Sequence, residues 1–392
     1  MPLPQITFTK QDGGLGRPLT GEDHISGMVM YSNSLPAGFG TDTMKTVFSL
    51  QQAEALGIVE GSASFGVLWY HIREYFRLQS KGVLHVGIFP VPAGAYDFAE
   101  VKTLQVFANG KIRQVAVYAH LIAGVSTANA TALHNRCVEL FADHMPLIAM
   151  IATDISAIAD LSTLTDLRDG TSSYYVSWVI GQDGNGLGKA LYDSLGYSIT
   201  CLGAVLGAVS LAQVHQNIGW VRTFKASDTE LDVPAFANGD LYSSKATSEL
   251  NSINDAGYIF LRRYVGKDGS FFNDSHTVVA TTSDYYSIEQ NRTIDKVVRN
   301  VYAALVDEIN GPVEVDADTG KLATTYVEYL KSLGDQSLLQ MERDGELSGY
   351  ETIIDPDQDI AATSNIEVSV NLVGIGVARI FSVNVGYQKS LS

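Results

Sequence analysis

Two periods of hydrophobic spacing divide this chain into elements. At its far end Ile366, Val368, Val370 and Leu372 alternate with Glu367, Ser369 and Asn371. A second run follows, in which Val377, Phe381, Val383, Val385 and Tyr387 share one parity against Ala378, Ser382, Asn384 and Gln388. Alternation of β-branched and aromatic residues with period two predicts half-buried strands. A long final strand left unpaired would be an aggregation edge. It therefore either closes its own sheet or is lent to the sheet of another chain.

Upstream the period changes back and forth. A short strand is predicted at 25–31 and a helix around 51–56, ended by Gly57. The segment 64–78 reads as a helix, with Leu68, His71, Ile72 and Tyr75 at helical spacing, and 83–89 as a buried strand stopped by Pro90. Helices at 98–108 and 128–143 then alternate with strands at 112–119, 147–152 and 174–180, before a long helix at 188–215 broken near Gly196. Strands and helices alternating at these lengths predict an α/β fold, a mostly parallel sheet flanked by helices. After Trp220 the pattern becomes α+β, with a helix at 243–254, strands at 258–264 and 277–282, and helices at 288–309 and 325–344. Four regions are expected: an extended arm at 1–22 containing Gly13, Gly14, Gly16 and Arg17, an α/β domain at 23–220, a C-terminal α+β domain at 221–375, and a strand arm at 376–392.

Composition narrows the chemistry. Hydrophobic residues at 46% with 18% charged are those of a folded protein, and 392 residues allow two or three domains. The formal charge of −17 argues against nucleic acid as a partner, since neutralising phosphates needs a basic face. Two distant cysteines, Cys137 and Cys201, indicate no disulfide framework and fit a reducing cytoplasm. The first residues show no signal-peptide pattern. The apolar run 199–214 is short of the roughly 20 residues of a membrane span. Its Gly203-x-x-x-Gly207 spacing predicts instead a buried helix packed closely through its glycines, so no membrane insertion is expected.

Motifs that could carry a reaction are few. Asp183-Gly184-Asn185-Gly186-Leu187-Gly188-Lys189-Ala190 has the strand-to-helix context of a phosphate loop. Asp183 stands where the first glycine is needed and Ala190 where the hydroxyl is needed, so the segment reads as a flexible turn. His134 and Cys137 at helical spacing, with His144, fall short of the four ligands of a structural zinc site. Asp355, Asp357 and Asp359 begin like a calcium loop but lack its central Gly and terminal Glu. No G-x-S-x-G elbow occurs. No catalytic, cofactor-binding or metal residue is assigned, and the expectation is a protein that is not an enzyme.

Several segments in order resemble the tail sheath proteins of contractile phages and related injection machines. They are Phe48 to Gly57, Leu250 to Asn254 before Gly257 to Tyr264, Tyr286 to Arg292 opening a long helix, and the helix from Tyr326 to Asp344 before Gly345 to Tyr350. Phe260-Leu261 stands where such sheaths often carry Trp-Gly. The resemblance covers most of 25–388. It implies a structural subunit that assembles as six-membered rings stacked helically around an inner tail tube, with baseplate and tail terminator proteins as further partners and no cofactor. It implies a location in a virion tail assembled in the host cytoplasm, or in a cytoplasmic injection particle. Subunit arms are then expected at Gly13, Gly14, Gly16 and Arg17 and at Val377, Phe381, Val383, Val385 and Tyr387. Lys331, Asp335 and Arg343, on the polar face of helix 325–344, are the expected tube contact. The alternatives are an α/β enzyme or nucleotide-binding protein with an unrecognised site, and a tube or baseplate component.

Overall fold

β1 (Ile25–Tyr31), buried over its last six residues, stands inside the main sheet of the molecule. The computed structural model describes residues 21–228 and 230–387, so Gly13, Gly14, Gly16 and Arg17 lie outside the described residues. After β1 come β2 (Met44–Val47), α1 (Leu50–Ala55), α2 (Gly66–Leu78), β3 (Val83–Phe89), α3 (Ala99–Phe107) and β4 (Gln114–Ala123). Next are α4 (Thr127–Ala142), β5 (Ile148–Asp154), β6 (Ser172–Ser173), β7 (Val176–Val179), β8 (Gly181–Asp183), α5 (Leu187–Leu195) and α6 (Leu202–Leu211). β9 (Pro234–Phe236), α7 (Thr247–Asp255), β10 (Tyr258–Ile259), β11 (Leu261–Arg262), β12 (Phe271–Phe272), β13 (Val278–Val279) and α8 (Ile288–Leu305) follow. The first of two compact units ends at Ala303.

The seven-stranded sheet runs in the order β10-β7-β5-β4-β1-β3-β2, and every pairing except β2 with β3 is parallel. β1 pairs with β3 on one side and β4 on the other, so the chain reverses its direction of travel across the sheet. α2 packs on α6, which lies along β1, β4 and β5, while α3 packs on β1 and β3 beside α4. The predicted parallel sheet flanked by helices is therefore the observed fold.

Three expectations change. The helix at 188–215 is two helices, because Gly196 adopts φ +74° and caps α5 by donating its N–H to the Tyr192 carbonyl, after which residues 197–201 cross to α6. The strand at 258–264 is two short strands, and β10 pairs with β7 in the main sheet. For that reason the change of domain expected at 220/221 falls within the first unit, and the compact division comes at 303/304. Arg292 on α8 donates to the carbonyls of Ala212 and Asp23, both at 3.0 Å, and Asp23 pairs with Lys296 and Arg299 at 2.8 Å. These bonds hold α8 to the end of α6 and to the start of β1.

The Gly203 and Gly207 spacing acts as the sequence predicts. α6 lies against α2 so closely that a β-carbon on Gly203 would overlap the His71 carbonyl oxygen and stand 2.7 Å from His71 Cα, while one on Gly207 would lie 2.8 Å from Tyr75 O. No described helix is long and apolar enough to cross a membrane.

His71 itself is fully buried, edge-on to the Tyr118 ring at 4.7 Å, and neither ring nitrogen has a hydrogen-bond partner among the described residues. Burial, with His120 nearby, lowers its pKa from an ordinary 6.5 to about 3. The unfolded chain thus takes up a proton below pH 6.5 that the folded chain refuses until about pH 3. Stability falls as pH drops through that window, by about 3 kcal/mol from this group between pH 6.5 and 4. Asp295, raised to about 7 by burial, works in the opposite direction between pH 3.8 and 7. The contribution of His71 is isolated by His71→Phe, which keeps a ring against Tyr118. Urea midpoints of the variant should match the parent at pH 8 and exceed it increasingly below pH 6, and parallel curves would contradict the assignment.

The second unit runs from Ala304. It contains α9 (Thr324–Arg343), β14 (Leu347–Ile353), α10 (Ile360–Thr363) and β15 (Ser369–Gly374), with β14 and β15 paired antiparallel as a two-stranded ribbon. Its core is small, centred on Leu322, Val327, Leu330 and Ile354. α9 buries Val327, Leu330, Gly334, Leu338 and Met341, whereas Tyr329 is 45% exposed and donates to Glu308 at 2.7 Å.

Candidate functional site

The glycine loop is the feature most like a ligand site, and its geometry makes it something else. Gly184, Gly186 and Gly188 lie between β8 and α5. A β-carbon on Gly184 would be 2.8 Å from Val233 O, one on Gly188 would be 2.7 Å from the Tyr70 hydroxyl, and one on Gly186 would overlap carboxylate oxygens of Asp183 and Glu230. The glycines are needed for close approach rather than for flexibility, a correction to the flexible turn expected. The N-terminus of α5 is already satisfied by an acid: Leu187 N donates to Glu230 Oε2 at 3.2 Å, and Glu230 is held by Arg73 at 2.8 Å. Burial and the neighbouring Glu230 raise the pKa of Asp183, while the Arg73 bond keeps Glu230 low against the effect of its own burial. A phosphate would meet two carboxyl groups here. Glu230 lies 47 positions beyond Asp183, so no local spacing announced the pair.

In open parallel sheets ligands sit at the carboxyl ends of the strands, where the direction of travel reverses. At the end of β1 Tyr31 is 2% exposed, donates to Glu100 at 3.1 Å and meets the Tyr96 ring edge-on at 4.7 Å. The buried side chain of Phe98 lies beside Tyr96 in the same cluster. His134, Cys137 and His144 are not brought together. His134 meets the rings of Tyr174 and Tyr175, Cys137 is buried with its thiol pKa pushed up, and His144 stacks on Tyr302 at 4.2 Å. Among the described residues no group of three or more His, Cys, Asp or Glu could hold a metal ion.

The expected arm at the far end is conspicuous in a different way. Residues 375–387 form no strand pairing among the described residues. Val377 is half-buried, but Phe381, Val383, Val385 and Tyr387 are at least 77% exposed. Ile380, on the other parity, is 84% exposed. Exposed apolar runs of this size are uncommon on monomeric proteins. The β14–β15 ribbon is itself only two strands wide, and such ribbons are marginal alone. Of the expected tube-contact residues, Arg343 is exposed at the end of α9 and Lys331 pairs with Glu328 at 3.4 Å. Asp335 accepts from Thr352 N at 3.1 Å, so it joins α9 to β14.

The fold is shared with proteins of contractile machines. A chain of the anti-feeding prophage baseplate, solved by cryo-electron microscopy with six-fold symmetrisation, superposes with a TM-score of 0.62 over 99% of both chains at 13% identity. A chain of the PVC sheath complex, an extracellular contractile injection system in its contracted state, gives 0.60 over 99% of this chain and 98% of that one at 12% identity. The sheath tail protein from Desulfitobacterium hafniense gives 0.51 over 95% of this chain and 100% of that one at 9% identity. No curated protein sequence matches. The chain belongs to the DUF2586 family, whose N-terminal domain matches residues 3–276 and whose C-terminal domain matches residues 284–392.

Proposed function

We propose that this chain is the structural subunit of a contractile sheath, polymerising helically around an inner tube and contracting to drive that tube through a target membrane. The observation that carries this is the likeness of fold along 99% of the chain to a subunit of a contracted sheath complex. The exposed apolar side chains at 380–387, in a segment that forms no strand pairing among the described residues, and the narrow β14–β15 ribbon support it from this chain's own residues. Burying Phe381, Val383, Val385 and Tyr387 on a neighbour would contribute roughly 6–12 kcal/mol before the cost of ordering the segment. Backbone pairing with an open ribbon edge would add to that gain.

In this scheme the strand arm 376–392 and the arm 1–22 with Gly13, Gly14, Gly16 and Arg17 link subunits within six-membered rings. Lys331 and Arg343 contribute a polar, salt-sensitive contact to the tube, and baseplate and terminator proteins bound the stack. The particle would be a virion tail or a cytoplasmic injection device. Electron microscopy of the purified chain tests the proposal. Rings or striated tubes are expected, and discrete monomers at every concentration and salt would overturn it.

A further inference from the structure

Cations are unevenly placed on the first unit. The segments 219–228 and 261–273 run side by side: Ala226 N donates to Ser270 O at 2.9 Å, and Ser270 N donates to the Ser227 hydroxyl at 2.9 Å. Gly269, at φ +86°, lies along the Lys225 side chain, whose Nζ would be 3.1 Å from a β-carbon placed there. Together the two segments carry Arg222, Lys225, Arg262, Arg263 and Lys267 against Asp228 and Asp268. Arg262 lies over the Tyr264 ring at 4.3 Å, and Arg263 donates to the Asp232 carbonyl. Arg222, Lys225 and Lys267 are exposed and form no ion pair among the described residues. Val265, in the turn between β11 and β12, stands fully exposed, and Trp220 in the other segment is about half exposed.

The second unit has the opposite character. Residues 304–392 hold fifteen carboxylates against five Lys and Arg, a net −10 of the chain's −17. Five of those acids, Asp307, Glu308, Glu314, Asp316 and Asp318, fall in 306–320, where no Lys or Arg occurs. The segment ends in a built turn: Asp316 N donates to Lys321 O at 2.8 Å, and the Asp316 carboxylate accepts from Thr319 N at 2.8 Å. Ile309 and Val315 are exposed within it.

We infer that the basic corner around Arg222, Lys225 and Lys267 of one copy docks on the acidic turn 306–320 of a second copy. Two surfaces of opposite charge that each carry exposed apolar residues have the makings of a specific contact. Because the two surfaces differ, joining the corner of one copy to the turn of the next is a head-to-tail contact. Such contacts propagate into rings or helical filaments rather than closing as a dimer. At physiological salt the repulsion between copies is screened beyond about 8 Å, leaving close opposite-charge pairs to set the register. The inference rests on the self-assembly proposed above and adds which surfaces meet.

The test is charge exchange in the full-length chain. Arg222→Glu with Lys225→Glu reverses the corner, and Asp307→Lys with Asp318→Lys reverses the turn. All four sites are exposed, so thermal melts of the unassembled proteins should agree with the parent and exclude misfolding. Each reversed pair should raise the concentration needed for assembly about 10-fold or more, and combining all four changes should restore it most of the way. If the parent assembles and the reversals leave its threshold unchanged, or the combination rescues nothing, the pairing is wrong while self-assembly stands. If the corner reversal abolishes only binding to short duplex DNA, the corner is a phosphate-binding face and the inference is overturned. A parent that never assembles removes both.

Discussion

Replacing Gly203 by valine should unfold or nearly unfold the first unit, with a loss of at least about 3–5 kcal/mol. The atoms in the way are backbone: the His71 carbonyl and Cα on α2, which no rotamer change can move. α6 buries nine of its ten residues, so it cannot swing outward without exposing Leu202, Val205, Leu206 and Val209. Against a total stability of about 5–15 kcal/mol, such a loss is decisive. Gly207→Ala, 2.8 Å from Tyr75 O, should be milder in the same direction. Gly94→Ala is the control, because a β-carbon there meets nothing within 4 Å, and it should stay within about 0.5 kcal/mol of the parent. Urea denaturation followed by circular dichroism ranks the three, and equal midpoints for Gly203→Val and Gly94→Ala would refute the close packing.

Deleting residues 376–392 should leave a folded, soluble monomer and abolish assembly. The exposed side chains of Phe381, Val383, Val385 and Tyr387 contribute little burial to their own chain, so losing them should cost under about 1 kcal/mol of monomer stability. Assembly would lose the whole of the apolar contact. Sedimentation velocity and circular dichroism decide it together. Rings or tubes from the truncated chain would show that the arm does not link subunits, and an insoluble collapsed product would show that the strand belongs to its own core.

The elements with strong periodicity were legible. The strand at 83–89 and the helices around 64–78, 98–108 and 128–143 were read within two residues of their ends, because their apolar residues run at a regular spacing between clear stop signals. The Gly203 and Gly207 packing was legible for the same reason, as a fully apolar helix must be enclosed. Tyr258 and Ile259 misled, since a two-residue strand has no period of its own and its partner β7 lies some 80 positions earlier. The role of Asp335 was illegible because it depends on Thr352 N, a backbone group supplied by tertiary structure. The glycine loop could be recognised but not understood without Glu230. Of the proposed assembly surfaces, alternation marked 377–387 as a strand needing a partner. The basic corner went unseen, because its five cations come from two segments joined only by hydrogen bonds such as Ser270 to Ser227.

The most direct measurement is a helical or ring reconstruction of the assembled particle at a resolution that traces the backbone. Residues 375–387 should be hydrogen-bonded as an added strand to the β14–β15 ribbon of a neighbouring copy. A particle in which that segment folds back onto its own ribbon, or hangs free of every sheet while the subunits remain joined, would contradict it.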